Sequence, residues 1–304
     1  MTAPAPAPSS ARGAVIAGVV CYTLWGLLPI YLLAVGRAGA SASEIIAHRA
    51  LWSVPCAGLL VLLAGQGRQV LAVLMTPRTL GLLAVSALLI AGNWLLYVWS
   101  VGQGRMIEAS LGYYINPLMN MAAGAILFRE RLDTAGKIAI GLAIAGVGVQ
   151  AVGLGHLPFI ALGLALTFTT YGLIRKQIAA DAQTGLFIEC LVLAPMAIAY
   201  IVWLQGRGAG HFTGHPTTTL LLLLAGPVTV APLALFAWTA RRLPLSTIAF
   251  LQFIGPTMQF IIGAETGETL NAMRIASFGF IWAGVLVFAY GAWRKTRGIT
   301  ATVA

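Results

Sequence analysis

The chain has 304 residues, of which 59% are apolar and only 9% are charged, whereas soluble domains carry about 25% charged residues. A water-soluble fold could not bury this much apolar surface, so the composition excludes the soluble classes of protein. The formal net charge of +10 would suggest nucleic acid as the partner of a soluble protein. In a membrane protein the same excess is typical of cytoplasmic loops, so no nucleic-acid partner is predicted.

The N-terminal segment, residues 1–12, precedes the first apolar run and is rich in Ala and Pro. It lacks the basic start that is expected of a cleaved signal peptide. We expect a short disordered cytoplasmic tail, with the first span acting as the insertion signal.

Ten apolar runs follow, and a helix needs about 20 apolar residues to cross the hydrocarbon core. The predicted spans are Gly13 to Val35, Ser43 to Ala64, Thr79 to Val101, Ile107 to Phe128, Ile138 to Val152, Leu157 to Ile174, Thr184 to Leu204, Thr218 to Ala240, Leu243 to Ala264 and Ile275 to Trp293. The charge-free stretch from Ile138 to Ile174 is too long for one crossing. Gly153, Gly155 and Pro158 are predicted to divide it into two helices.

The basic residues predict the orientation. With ten spans and a cytoplasmic N-terminus, thirteen Lys and Arg residues lie on the cytoplasmic side and four on the other, while Arg49 lies within a span. Both termini, including the tail 294–304, are therefore predicted to be cytoplasmic.

An internal repeat is indicated when the chain is shifted by 139 residues, which places Trp99 on Trp238 and Pro117 on Pro256. The two halves, 13–153 and 154–293, then hold five spans each. Because five is odd, the second half enters the membrane in the opposite sense. Inverted repeats are typical of secondary transporters, in which a central site is exposed to each face in turn. The predicted fold is an all-α membrane protein of ten transmembrane helices in two inverted five-helix repeats.

Uncharged polar residues lie at matching depth in the two halves. Tyr113, Asn116 and Asn120 share one face of the fourth span, because they are three and four residues apart. The residues predicted to line a shared substrate cavity are Tyr113, Asn116, Asn120, Gln252, Gln259, Asn93, Tyr97 and Trp25. Bonding between helices is the alternative for the polar members, and the interfacial aromatic belt is the alternative for the rings.

Prolines and intramembrane charges are the candidates for gating or coupling. Pro117 and Pro256 bend helices, either for gating or as static packing kinks. Arg49 is either a gate or substrate contact or half of a structural ion pair with Glu108. Glu189 is a candidate proton carrier, with neutralisation by Arg175 and Lys176 as the alternative.

Seven segments resemble the RarD-type, or chloramphenicol-sensitivity, branch of the EamA transporters in the drug/metabolite transporter superfamily. They are TLWGLLPIY (23–31), EIIAHRALWS (44–53), GNWLLYVWSV (92–101), EASLGYYINPL (108–118), FRERLD (128–133), YGLIRK (171–176) and LSTIAFLQFIGPT (245–257). The resemblance implies ten helices in two EamA halves, a shared central cavity and residence in a bacterial inner membrane. FRERLD has only TGETL (266–270) as its counterpart, so the basic loop is not duplicated.

The predicted function is secondary transport of a small-molecule substrate, a metabolite or drug, by alternating access in the export direction. No catalytic residue, cofactor or metal is predicted, because no phosphate loop, zinc motif or nucleophile elbow occurs. An intramembrane lipid-modifying enzyme, using Glu44, His48 and Glu108, and a noncatalytic scaffold are the alternatives. Membrane lipid is the surrounding partner, and proton coupling and a homodimer are left open.

Overall fold

The structure is a computed structural model that describes residues 8–127, 129, 133–240, 242–243 and 245–302. Most of the FRERLD segment and residues 1–7 of the predicted tail lie outside the described residues. The helices are α1 (Pro8–Arg37), α2 (Ala42–Leu63), α3 (Gly67–Leu74), α4 (Pro77–Gly102), α5 (Met106–Leu127), α6 (Thr134–Leu154), α7 (Phe159–Lys176), α8 (Ala182–Gly206), α9 (Pro216–Ala240), α10 (Leu245–Gln252), α11 (Ile254–Glu265) and α12 (Ala272–Thr302).

Among the described residues, seven helices are long and apolar enough to cross a membrane: α1, α2, α4, α6, α8, α9 and the first part of α12. The other three predicted spans coincide with α5, with α7 and with the pair α10 and α11. The predicted break between the fifth and sixth spans is confirmed. Gly155 ends α6 in the left-handed conformation with φ of 73°, which suits glycine because it has no Cβ, and α7 begins directly after Pro158.

Three local features differ from the predicted tail and spans or add to them. Residues 8–12 are helical rather than disordered, because Pro8 fits the first turn of a helix, where no N–H donor is needed. The ninth span is interrupted at Phe253, since Pro256 cannot donate to the carbonyl four residues earlier. The short helix α3 was not predicted; its buried Val73 packs with Leu83 and Ile188.

Most helix contacts join one half of the chain to the other. The first half contains α1 to α6, and the second contains α7 to α12. Packing pairs across the halves are α6 with α12, α2 with α8, α5 with α11, α1 with α9, α4 with α7, α1 with α11, α5 with α7, α2 with α9 and α4 with α8. The halves therefore interdigitate and do not form separate domains.

Carboxylates from one half cap helices of the other at one end of the bundle. Glu268, in the connection between α11 and α12, accepts hydrogen bonds from the backbone N–H groups of Met106 and Ile107, which begin α5. Glu108 in α5 accepts from the N–H of Ile160, at the start of α7, over 3.2 Å. These N–H groups have no partner within their own helices, so the acidic side chains fix the relative positions of three helix ends.

We expect Glu268→Ala to destabilise the protein by about 1–2 kcal/mol, because two N–H donors at the start of α5 lose their acceptor. Thermal unfolding of the purified protein in detergent measures this change. Glu265→Ala is the matched control, since Glu265 is exposed and only three residues away. Equal melting temperatures for the two variants would contradict the capping role.

The Glu268 carboxyl also predicts a pH dependence. Burial raises its pKa above the ordinary value of 4.5, against the opposing effect of the Ile107 and Met106 N–H groups. The folded state therefore favours the protonated acid, whose contribution to stability is present below pH 4.5 and is lost as the pH rises through the raised pKa. The measured quantity is the melting temperature of the wild type minus that of Glu268→Gln. It should fall as the pH rises from 4.5 through the raised pKa, and an increase with pH would contradict this prediction.

Candidate functional site

Arg49 lies inside the bundle, on α2, with 6% of its surface exposed. Its Nε–H donates to Oγ1 of Thr229 on α9 over 2.7 Å. Its guanidinium carbon lies 4.3 Å from the ring centroid of Trp94 on α4. The Nη1 nitrogen has no hydrogen-bond partner among the described residues. The orientation of the arginine is thus fixed, but not all of its N–H donors have an acceptor.

Three phenols complete the surroundings of this arginine. Tyr31 on α1, Tyr97 on α4 and Tyr113 on α5 are within electrostatic range of the guanidinium. The rings of Tyr97 and Tyr113 meet edge to face, with 5.4 Å between centroids. The buried hydroxyl of Tyr97 has no partner. We call Arg49, Trp94, Thr229 and the three tyrosines the arginine cluster; α1, α2, α4, α5 and α9 supply it.

The alternative role of Arg49, an ion pair with Glu108, is not observed. Glu108 lies 2.6 Å from Arg105, three residues earlier, and also caps α7. Within the described residues no salt bridge reaches Arg49. Burial of the Nη1 atom also excludes extension of the side chain to the membrane surface.

The three polar residues that were predicted to share one face of the fourth span, now α5, differ in burial. Asn116 is 1% exposed and its Oδ1 has no partner. Tyr113 is half-buried and joins the arginine cluster, whereas Asn120 is exposed. Pro117 lies within α5, which continues through it to Leu127.

The second half contributes Gln259, which is 5% exposed. Its Nε2 donates to the carbonyl of Trp25 over 3.3 Å, while its Oε1 has no partner. The ring of Trp25 packs against Tyr22 and Phe236. Gln259 and Trp25 are therefore brought together across the halves. Gln252, at the end of α10, is half-buried, and Pro256 lies in the first turn of α11.

Asn93 bonds one helix to another and does not project into an open space. Its Nδ2 donates to the carbonyl of Leu164 over 3.0 Å and to Oγ1 of Thr167 over 2.9 Å, both on α7. This matches the alternative of bonding between helices.

Glu189 on α8 belongs to a second buried cluster. One of its oxygens accepts from Ser86 Oγ over 2.6 Å, and the other from Tyr171 over 3.3 Å. Nη1 of Arg175 lies 3.8 Å away. The predicted alternative of neutralisation by Arg175 is therefore present. Cys190, the next residue on α8, is buried and lies within electrostatic range of Arg49.

The groups required by the enzyme alternative have separate partners. Glu44 accepts from the backbone N–H of His211 over 2.7 Å and contacts its Nδ1 over 2.8 Å. His48 accepts from Trp52 Nε1 over 3.0 Å and stacks on Phe212. In the described ranges no three His, Cys, Asp or Glu side chains are grouped to hold a metal.

Two cavities lie between α6 and α12, away from the predicted site. One has a volume of about 740 Å³ and lies near Asp133 and Arg294. The other, near Gln150 and Arg274, has about 10 Å³. Neither is lined by a residue that was predicted to bind substrate.

Sequence reasoning missed two members of the arginine cluster, Tyr31 and Thr229. A threonine within an apolar helix carries no signal of its own, because it commonly bonds to the preceding turn. Thr229 does so as well, donating to the carbonyl of Ala225 over 2.7 Å. Tyr31 follows Pro29 in α1, near a span end, where a tyrosine also suits the aromatic belt.

Comparison with known proteins places this fold among bacterial transporters, although no family model matches the chain. It is 41% identical over 286 residues to an uncharacterized transporter of Vibrio cholerae, covering 93% of this chain and 94% of the relative. It is 42% identical over 283 residues to protein RarD of Salmonella typhi, covering 92% and 96%. For protein RarD of Escherichia coli the identity is 41% over 283 residues, with 92% and 95% covered.

A solved crystal structure has the same fold, with a TM-score of 0.59 at 18% identity over 91% of this chain and 97% of that chain. The apolar helices and these relatives identify a multi-pass protein of the bacterial inner membrane. The chain belongs to the RarD family of transporters.

Proposed function

We propose that this protein is a secondary transporter that exports small organic metabolites or drugs across the inner membrane by alternating access. The observation that carries the proposal is that four of the predicted site residues, from both halves, have a buried polar atom without a partner among the described residues. These atoms are Nη1 of Arg49, the Tyr97 hydroxyl, Oδ1 of Asn116 and Oε1 of Gln259. Unsatisfied polar atoms are costly in a bilayer, so they are expected where a bound molecule or water completes their bonding.

Inverted EamA repeats of the drug/metabolite transporter superfamily are part of this proposal. If α1, α2, α4, α5 and α6 correspond to α7, α8, α9, α10–α11 and α12, exchanging the halves converts the α1–α9 contact into α7–α4. The same exchange converts α1–α11 into α7–α5 and α2–α9 into α8–α4, and all these pairs pack together. An approximate twofold relation would allow the two halves to adopt exchanged conformations, which is the physical basis of alternating access.

Specific contacts join the helices at the end of the bundle that is predicted to face the periplasm. His211, in the connection between α8 and α9, is bound to Glu44 on α2, and Phe212 stacks on His48 and Trp52. Together with the caps on α5 and α7, these contacts must loosen when a substrate leaves on that side. The structure is therefore interpreted as a state closed at this end.

The transport prediction uses everted inner-membrane vesicles, in which an exporter moves substrate into the lumen. We expect uptake of at least one compound from a panel of small organic acids, amides and antibiotics to exceed that of vesicles without the protein. No protein-dependent flux for any compound, with or without a proton gradient, would contradict transport and would favour the scaffold. Conversion of a lipid or panel compound into a new product would favour the enzyme.

Two buried asparagines, each 1% exposed, form a matched pair for mutation. Asn116 is a proposed site residue, whereas Asn93 bonds one helix to another. Asn116→Ala removes an unpartnered oxygen, so we expect little loss of stability and at least roughly tenfold lower flux per folded molecule. Asn93→Ala breaks two hydrogen bonds to α7, so we expect a loss of about 1–3 kcal/mol in stability, with flux per folded molecule retained. Thermal unfolding and vesicle flux measure the pair, and the reverse pattern would contradict the assignment.

A further inference from the structure

No carboxylate in the described part of the chain neutralises the charge of Arg49. The glutamates that could approach it have other partners: Glu44 binds His211, Glu108 binds Arg105 and Glu189 contacts Arg175. No other carboxylate of the described chain forms a salt bridge with the arginine. A guanidinium that is 6% exposed within an apolar bundle therefore carries an uncompensated positive charge.

The existing contacts of Arg49 are with neutral groups. The Thr229 hydroxyl accepts one N–H, and the Trp94 ring offers the negative face of its π system. These contacts fix the orientation of the guanidinium, but neither carries a formal charge, and the Nη1 nitrogen has no acceptor. A buried charge of this kind is destabilising unless an anion completes it.

We propose that Arg49 binds the carboxylate of a small organic anion, which is the cargo of the transporter; this inference rests on the proposed function. The planar guanidinium matches the two oxygens of a carboxylate and can donate to both. The free hydroxyl of Tyr97 is a further donor, and the rings of Tyr113 and Trp94 provide apolar surface for the body of the molecule.

The composition of the arginine cluster selects the class of anion. A phosphate dianion would require a second cation nearby, whereas the side chains around Arg49 in the described structure are phenols, an indole, a thiol and a hydroxyl. One positive charge among aromatic rings complements a single negative charge on an amphiphilic molecule.

The test uses the purified full-length protein with benzoate, phenylacetate and hexanoate as probes, each compared with its neutral primary amide. We expect a concentration-dependent rise in melting temperature with at least one acid, and at least tenfold weaker binding of the matching amide. Inorganic phosphate should produce no stabilisation. Stabilisation by the amides equal to that by the acids, or by phosphate alone, would overturn the proposal.

Variants locate the charge that is recognised. Arg49→Lys keeps the charge but loses the planar fork, so binding of the acid should weaken at least roughly tenfold. Arg49→Gln should abolish the difference between acid and amide, and its melting temperature without a probe should be no lower than that of the wild type, because an unpaired charge is removed. Arg242→Gln is the matched control, since the exposed Arg242 also stacks on a tryptophan, 4.2 Å from the ring of Trp238. It should bind like the wild type.

The possible failures are distinguishable. If acids bind through Arg49 but no vesicle flux of any compound is detected, the carboxylate site stands and the transport proposal fails. If neutral compounds are transported and acids neither bind nor inhibit, transport stands and the carboxylate site is wrong. Should Arg49→Gln not fold, the comparison of acids with amides on the wild type and on Arg49→Lys still decides the question.

Discussion

Inside a bilayer the backbone has to satisfy its own hydrogen bonds, and the first N–H groups of each helix are where it cannot. In this protein Glu268 and Glu108 supply acceptors for two such helix starts, and in each case the carboxylate and the helix belong to opposite halves of the chain. The halves are therefore joined at one end by groups that neither half could satisfy alone. In the proposed alternating access, opening that end would require these caps, and the contact of Glu44 with His211, to be exchanged for other partners.

Deeper in the bundle the opposite condition holds, because polar atoms remain without partners. Arg49, Tyr97, Asn116 and Gln259 each leave at least one buried nitrogen or oxygen unbonded, whereas Asn93 and Glu189 are bonded to neighbouring helices. Bonded groups stabilise the bundle in its present form. Unbonded groups reduce its stability, and their presence is physically reasonable at the proposed site for a transported molecule.

The positions of most helices could be predicted from the sequence, because crossing length and local breakers such as Gly155 and Pro158 depend on short segments. Pro256 was predicted to bend its helix, and the interruption at Phe253 lies next to it. The short helix α3 was missed, because it depends on the packing of Val73 against Leu83 and Ile188. Arg49 was identified as a suspect from its charge alone, but its partners come from four other helices. Spacing along one helix could not show that Glu108 turns to Arg105, or that Asn93 bonds to α7 and does not face a cavity.

Alternating access is the central claim, and distances across the two ends of the bundle test it most directly. Spin labels on the exposed residues Arg37 and Thr213 report on the end closed by His211, and labels on Arg68 and Ala182 report on the opposite end. Pulsed electron paramagnetic resonance of the protein in nanodiscs, with and without a bound carboxylate, measures both distances. Alternating access predicts two populations in which one distance lengthens as the other shortens. Distances that stay fixed, or that lengthen together, would contradict it.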